Sequence, residues 1–269
     1  MILDSFAVTG RVAIVTGAGQ GIGRAIALGL AEAGADVVVA SRTKADLDDV
    51  VAQIEATGRR GLAVPTDVME TDQLDALLAE TLGAFGRLDI LVNNAGGTPP
   101  RPAAATSQRF FEVAMHFNVI APFLLTKIAA QAMVDTAGGG SVVNISSRSA
   151  DMALTAFVAY GAGKAALNRM TENLALEFAP RVRINAIGTG GIDTQALEYV
   201  LQDDDLRREY VGRIPMGRPG TPRDIACAAL YLASPASAWV TGTVVRVDGG
   251  ANEAALQVPV APLEPRAGS

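Results

Sequence analysis

Residues 12–23 read Val12-Ala-Ile-Val-Thr-Gly-Ala-Gly-Gln-Gly-Ile-Gly23, and the fold follows from them. Val12–Val15 is a short, continuous apolar run that stops at a cluster of glycines. Ala25, Ile26, Leu28, Leu30 and Ala31 then carry helical spacing to Gly34, and Val37–Ala40 is a second apolar run. Strand, glycine turn, helix and strand within about 30 residues is the size of a βαβ unit. A phosphate needs backbone N–H donors at close range. Glycines at a strand-to-helix turn supply them because no Cβ blocks the approach, and the helix N-terminus adds its dipole. Gly17, Gly21 and Gly23 are spaced G-x-x-x-G-x-G, with Gly19 as a further flexible point. This departs from the strict G-x-G-x-x-G pattern. By itself it also suits a tight turn with Gly23 packed closely.

Working outward, the alternation continues. A polar helix spans Lys44 to about Thr57, a strand Gly61–Val64, a helix Thr71–Phe85 and a strand Leu88–Val92. A long helical stretch covers Ser107 to Asp135, followed by strand Ser141–Ile145, helix Ala156–Phe178 and strand Val182–Ile187. Helix Pro222–Leu232 and strand Thr243–Val247 complete the series. Continuous Val/Ile/Leu strands between helices imply a parallel sheet covered on both faces. With right-handed crossovers this is an α/β, Rossmann-type, doubly wound sheet of about seven strands in one domain over 1–269. A polar insert interrupts the alternation, and a small helical lid is expected over about 190–215. The Pro/Ala-rich tail 257–269 reads as mobile or pinned on a neighbouring subunit.

Composition narrows the function. Hydrophobic residues make up 49% of the 269 residues and charged residues 19%, which suits a large core and excludes a disordered chain. A net charge of −6 argues against nucleic acid as partner. One cysteine and one histidine exclude an internal disulfide and a multi-histidine or cysteine-based metal site, so no metal is expected. No uninterrupted apolar run approaches the ~20 residues of a membrane span, and the start of the chain does not resemble a signal peptide. The expectation is a soluble, cytoplasmic protein.

Two further groups of residues carry chemistry. Strand 2 ends in Ser41-Arg42, with no acid there to accept from a ribose 2′-hydroxyl; a hydroxyl and a guanidinium suit a 2′-phosphate. NADP(H) is therefore favoured over NAD(H), although Gln20 stands where a second basic residue would have strengthened the case. Tyr160 and Lys164 are four residues apart, on one helix face. A nearby ammonium favours phenolate, lowers the tyrosine pKa and suits it to move a proton to or from an alcohol oxygen. Ser147 lies at the C-terminal end of a strand, where doubly wound sheets gather ligands.

Thr16–Gly23, Asp67-Val68, Asn93-Asn94-Ala95-Gly96, Asn118, Ser147, Tyr160-x-x-x-Lys164 and Asn185-Ala186-Ile187 together resemble a short-chain dehydrogenase/reductase over about residues 10–250. The resemblance implies an oxidoreductase that interconverts a secondary alcohol and a ketone by hydride transfer. It makes Tyr160 the general acid/base, Lys164 the holder of the nicotinamide ribose and Ser147 the stabiliser of the substrate oxygen. Asn118 would help hold a water in a proton relay. Gly17, Gln20, Gly21, Ile22 and Gly23 would cradle the cofactor, and Asp67 and Val68 would meet the adenine. Asn94, Ala95 and Gly96 would line the cleft, and Ile192 and Thr194 would meet the nicotinamide carboxamide and the phosphates. One departure is Gly188-Thr189-Gly190 where the family usually has x-Pro-Gly; it places a hydroxyl near the nicotinamide.

The segment Gly97–Arg101 and the ending around Trp239–Gly250 resemble bacterial hydroxysteroid dehydrogenases and 3-oxoacyl reductases. Apolar residues Leu197, Tyr199, Val200 and Leu201 suit a bulky apolar substrate, an acyl thioester or a steroid-like molecule. A sugar or polyol dehydrogenase is the alternative, and a non-catalytic nucleotide-binding or scaffold protein the third reading. The resemblance also implies a homotetramer paired through the two long helices. His116 reads as a surface or packing residue, Cys227 as a small core residue, and Trp239 as an anchor for the last strand or a subunit contact. Arg148 and Asp151 flank the substrate or form a solvated ion pair. Asp203–Asp205 reads as a solvated run.

Overall fold

A computed structural model describes residues 1–253 and 257–263. Seven parallel strands form one sheet: β1 Val12–Thr16, β2 Asp36–Ser41, β3 Gly61–Pro65, β4 Ile90–Asn93, β5 Gly140–Ser147, β6 Val182–Thr189 and β7 Val244–Val247. Their spatial order is β3-β2-β1-β4-β5-β6-β7. Strands β1 and β4 are buried along their whole length, and β2, β5 and β6 nearly so. The edge strands β3 and β7 are only partly covered. Both observations follow from a sheet with helices on two sides.

The helices are α1 Gly21–Glu32, α2 Lys44–Ala56, α3 Thr71–Phe85, α4 Gln108–Met115, α5 Ala121–Ala137, α6 Val158–Phe178, α7 Glu198–Leu201, α8 Asp204–Gly212 and α9 Pro222–Ala233. One core packs α1, α2 and α9 on the sheet through Ile26, Leu30, Leu47, Ile54, Ile225 and Leu232. The other packs α3, α5 and α6 through Leu74, Leu77, Leu125, Met133 and Leu174. Residues Gln108–Ala137 are helical and apolar enough to cross a membrane by length and composition. Their buried face, including Leu125, Ala129 and Met133, lies in that second core, which is why an apolar stretch of this length belongs to a globular fold here.

Several expectations are refined or corrected. The long helical stretch expected from about Ser107 to Asp135 is present as Gln108–Ala137, with a π-helical turn at His116–Ile120 between α4 and α5. Cys227 is exposed: Ile225, Ala226 and Ala229 take the inner face of α9, and Cys227 projects from the other. Trp239 is 100% exposed and anchors nothing among the described residues. Asp203–Asp205 is solvated, as expected, and Asp203 also caps α8 by accepting from the Asp205 and Leu206 amides. The described part of the tail is pinned on its own chain, since Gln257 Oε1 accepts from Thr155 N at 2.9 Å and Thr155 Oγ1 donates to Val258 O at 2.6 Å. Residues 264–269, and the side chain of Tyr199, lie outside the described residues. The expected lid segment holds α7 and α8, with its own cluster of Val200, Tyr210 and Ile214.

Candidate active site

Strand order reverses between β1 and β4, so a crevice opens at their C-terminal ends. The glycine turn leaves β1 there, and Asn94–Gly96 leaves β4. Asn94 ties the two together: its Nδ2 donates to Thr16 O at 2.9 Å and to Gly17 O at 3.1 Å. The Asn94 and Ala95 amides both donate to Thr16 Oγ1 at 3.0 Å. A Cβ at Gly23 would stand 2.2 Å from Gly17 O, so only glycine lets α1 start this close to β1. Gln20 gives α1 no side-chain cap. The first amides of the helix are therefore available to an anion.

A groove of ≈ 450 Å³ runs from this turn along Gly19, Gln20, Ser41, Arg42, Asp67 and Val68 to Asn94, Ala95 and Gly96. Most of the expected cofactor residues thus share one surface. The Asp67 carboxylate accepts from the Met69 amide at 3.0 Å and fixes the loop after β3. Thr194 comes to the turn as well, its methyl 3.5 Å from where a Cβ on Gly21 would be. Ile22 packs against the core, and Ile192 is buried against Gly220 without lining the groove. Asp36, at the far end of β2, is held by Arg59 and Arg60, which with the Arg60 amide outweigh its burial and keep its pKa low. One residue escaped the sequence reading. Asp46, in the first turn of α2, lines the groove, and its Oδ2 lies 3.6 Å from the Cβ position of Gly19, where Ser41 Oγ also approaches at 3.2 Å. An acid just inside the helix after Ser41-Arg42 was the available signal.

Tyr160 and Lys164 sit on α6, and Ser147 ends β5. Lys164 is 4% exposed and its Nζ donates to Ile145 O at 2.8 Å. It stands 5.8 Å from the centre of the Tyr160 ring. A Cβ on Gly96 would lie 3.1 Å from Lys164 Nζ and 3.2 Å from Asn118 Oδ1, so the three residues converge. Ser147 Oγ accepts from the Ser149 amide at 3.1 Å. Burial lowers the Lys164 pKa to about 8. Burial also raises the Tyr160 pKa, against a smaller opposing pull from its hydrogen bond with Ser147. Desolvation thus sets the direction of the Tyr160 shift, opposite to the lowering expected from Lys164, and it disfavours both charged forms.

Asn118 lies in the π turn, buried. Its Oδ1 accepts from the Gly97 amide at 2.9 Å, and its Nδ2 donates to Ala114 O at 2.8 Å. π turns are frequent at functional sites, and no residue pattern announces this one. His116, half-buried in the same turn, has an Nε2 without a partner among the described residues. A second unread feature lies beneath the site. Asn93 Nδ2 donates to Thr126 Oγ1 at 2.9 Å and to Asn144 Oδ1 at 2.8 Å, and Asn144 Nδ2 donates to Thr171 Oγ1 at 2.9 Å. This chain of buried bonds registers α5 and α6 on β4 and β5.

A second cavity, ≈ 600 Å³, adjoins Ser147 and Tyr160. Pro99, Pro100, Met152, Leu154, Phe157 and Leu197 give it apolar walls, and Val258 of the pinned tail joins them. Arg148 lines it too, but as a buried member of an ion network. Its Nη1 donates to Asp151 at 2.5 Å, and its Nε lies 2.7 Å from Asp248 without the alignment of a hydrogen bond. Asp151 is shared with Arg246 at 2.8 Å. Thr189 donates its hydroxyl to Ser146 O at 3.0 Å, so the group that replaces the usual proline knits β6 to β5 while lining this cavity.

The geometry matches known proteins. A family model described as Enoyl-(Acyl carrier protein) reductase matches residues 17–252. An uncharacterized oxidoreductase of Mycobacterium tuberculosis is 47% identical over 98% of this chain and 100% of its own. The solved structure of a 7α-hydroxysteroid dehydrogenase with NADH and 7-oxo glycochenodeoxycholic acid superposes with a TM-score of 0.89 at 36% identity, covering 93% of this chain and 97% of that one. A gluconate 5-dehydrogenase from Burkholderia cenocepacia, solved with NADP and tartrate, gives 0.87 at 31% identity, with 93% and 98% covered.

Proposed function

The chain belongs to the short-chain dehydrogenase/reductase family and is an oxidoreductase of alcohol and ketone groups; we propose that its substrate is a bulky, apolar secondary alcohol or the matching ketone. The observation that carries this reading is the cavity at Ser147 and Tyr160, whose walls are apolar and whose one cation, among the described residues, is consumed by two carboxylates. A substrate with a carboxylate a few bonds from the reacting carbon would find no free positive partner there, and burying a charge unpaired is costly. An acyl thioester or a steroid-like ketone suits such walls. The gluconate dehydrogenase likeness keeps a sugar acid or polyol as the second reading.

The residues of the groove suit a nicotinamide dinucleotide: an uncapped helix start behind a glycine turn, with a loop at Asp67-Val68 farther along. Gly17–Gly23 would hold the pyrophosphate, Ser41 and Arg42 the adenosine ribose, Asp67 and Val68 the adenine, and Lys164 the nicotinamide ribose, with Thr194 beside the phosphates. When bound, the nicotinamide supplies or takes the hydride. Tyr160 gives its proton to the carbonyl oxygen in reduction and takes it back in oxidation. Ser147 donates a hydrogen bond to the same oxygen and stabilises its growing charge. Asn118, beside Lys164, continues the proton path toward solvent. Arg42, exposed at the groove, favours NADP(H); Asp46 opposes it by placing a carboxylate near a 2′-phosphate. We read the working form as a cytoplasmic homotetramer, in which the exposed Val113, Phe123, Val158 and Leu176 of α4, α5 and α6 are covered.

A panel of ketones and alcohols followed at the reduced-nicotinamide absorbance with both nucleotides tests this reading. Turnover of bulky ring ketones or acyl thioesters is expected. Turnover confined to small polyols or sugar acids would overturn it.

A further inference from the structure

The lid carries a polar group that the alcohol/ketone chemistry leaves unused. Tyr210, on α8, is 5% exposed, and its ring is clamped by Val200 and Ile214. Its hydroxyl makes no hydrogen bond to the described residues, yet it is not sealed in the core, because Tyr210 lines the same cavity as Ser147 and Tyr160. The hydroxyl also has a dedicated place. A Cβ at Gly191 would fall 1.3 Å from Tyr210 Oη, so the phenol occupies the space that a side chain on the loop after β6 would fill. A phenol held this firmly, short of partners and open to a ligand cavity, is a preorganised donor. A purely apolar occupant would leave it unsatisfied, which disfavours binding.

We propose that Tyr210 is a specificity-determining residue whose hydroxyl donates a hydrogen bond to a second oxygen of the substrate, distinct from the oxygen that meets Tyr160. The substrate class is then narrower than a bulky apolar ketone: it is a rigid apolar skeleton bearing two oxygens, one reacting and one read by the lid. This rests on the cavity being the substrate site of an alcohol/ketone oxidoreductase. Gly191 is the positioning residue that leaves room for the phenol.

The test compares a rigid bicyclic monoketone with a set of diketones that place the second carbonyl at successive ring positions. For the parent enzyme, at least one diketone is expected to show a KM on the order of tenfold below that of the monoketone. Tyr210→Phe should erase that advantage, with kcat altered less than about twofold. Gly191→Ala, which displaces the phenol, should erase it as well. Equal rises in KM for monoketone and diketone in Tyr210→Phe would mean that the ring only packs the lid, and would overturn the assignment. So would an advantage that survives both substitutions, or a parent enzyme that prefers no diketone. Ketone binding to the nucleotide-loaded protein, read as a rise in melting temperature, needs no turnover. A binding contrast that depends on Tyr210 without any turnover would count against the redox reading alone, and turnover with Tyr210-independent binding against this inference alone.

Discussion

Burial pushes Lys164 toward its neutral form, and the consequence is measurable as stability. Its pKa is lowered to about 8 in the folded protein against an ordinary 10.5. Between those values the unfolded chain binds more protons, so stability rises with pH across that window. From pH 7 to pH 9 the parent is expected to gain about 1 kcal/mol relative to Lys164→Met, both without added nucleotide. Tyr160 acts in the opposite sense, because a raised phenol pKa adds stability that is lost only above about pH 10. Melting curves at the two pH values check this, and a parent that loses ground to the variant would contradict it. The phenol and ammonium were legible from their four-residue spacing; the direction of the Tyr160 shift was not, because burial depends on what the rest of the chain packs above them. Cofactor choice also rests on single residues. Arg42→Asp should move preference toward NAD(H), and Asp46→Asn should move it toward NADP(H), each by on the order of tenfold in kcat/KM. Asp46 was visible in the sequence only as an acid shortly after Ser41-Arg42; its reach into the groove depends on the angle at which α2 leaves β2.

At the level of elements, periodicity and turn chemistry exposed nearly all of the strands and helices. Apolar runs such as Val37–Ala40 have no alternative to a buried strand once helices flank them. The π turn at His116–Ile120 was hidden, since it differs from the surrounding helix by hydrogen-bond register and not by residue type. The polar chain through Asn93, Asn144 and Thr171 was hidden for a related reason: each residue looks ordinary in sequence, and only the register of β4 against β5, which pairs Asn93 with Asn144, brings them into line. This chain holds the helix that carries Tyr160 and Lys164. Asn144→Ala should cost about 1–3 kcal/mol, because it leaves Asn93 Nδ2 and Thr171 Oγ1 short of partners in the core. Urea denaturation measures the loss, and kcat should fall with it. A cost below about 0.5 kcal/mol, usual for a surface position, would show that the network does not carry the load assigned to it.

For the whole molecule, the doubly wound sheet was foreseeable from strand and helix alternation, whereas the closure of the substrate cavity was not. Gln257 and Val258 return to the loop at Thr155 across about a hundred residues of chain, and no local pattern specifies such a contact. Leu176, 81% exposed on α6, and the bare Trp239 mark surfaces that a monomer leaves in water. Light scattering should report four copies of the 27.7 kDa chain, and Leu176→Glu should give a smaller species. A monomeric parent would contradict the proposed tetramer. The measurement closest to the central claim is turnover of a ring ketone by Tyr160→Phe beside the parent, with nucleotide affinity determined on the same preparations. The proton transfer assigned to the phenol implies a fall in kcat of about 10²–10⁴-fold with nucleotide affinity essentially unchanged. A variant as active as the parent would contradict the assignment of Tyr160 as the acid and base of the reaction.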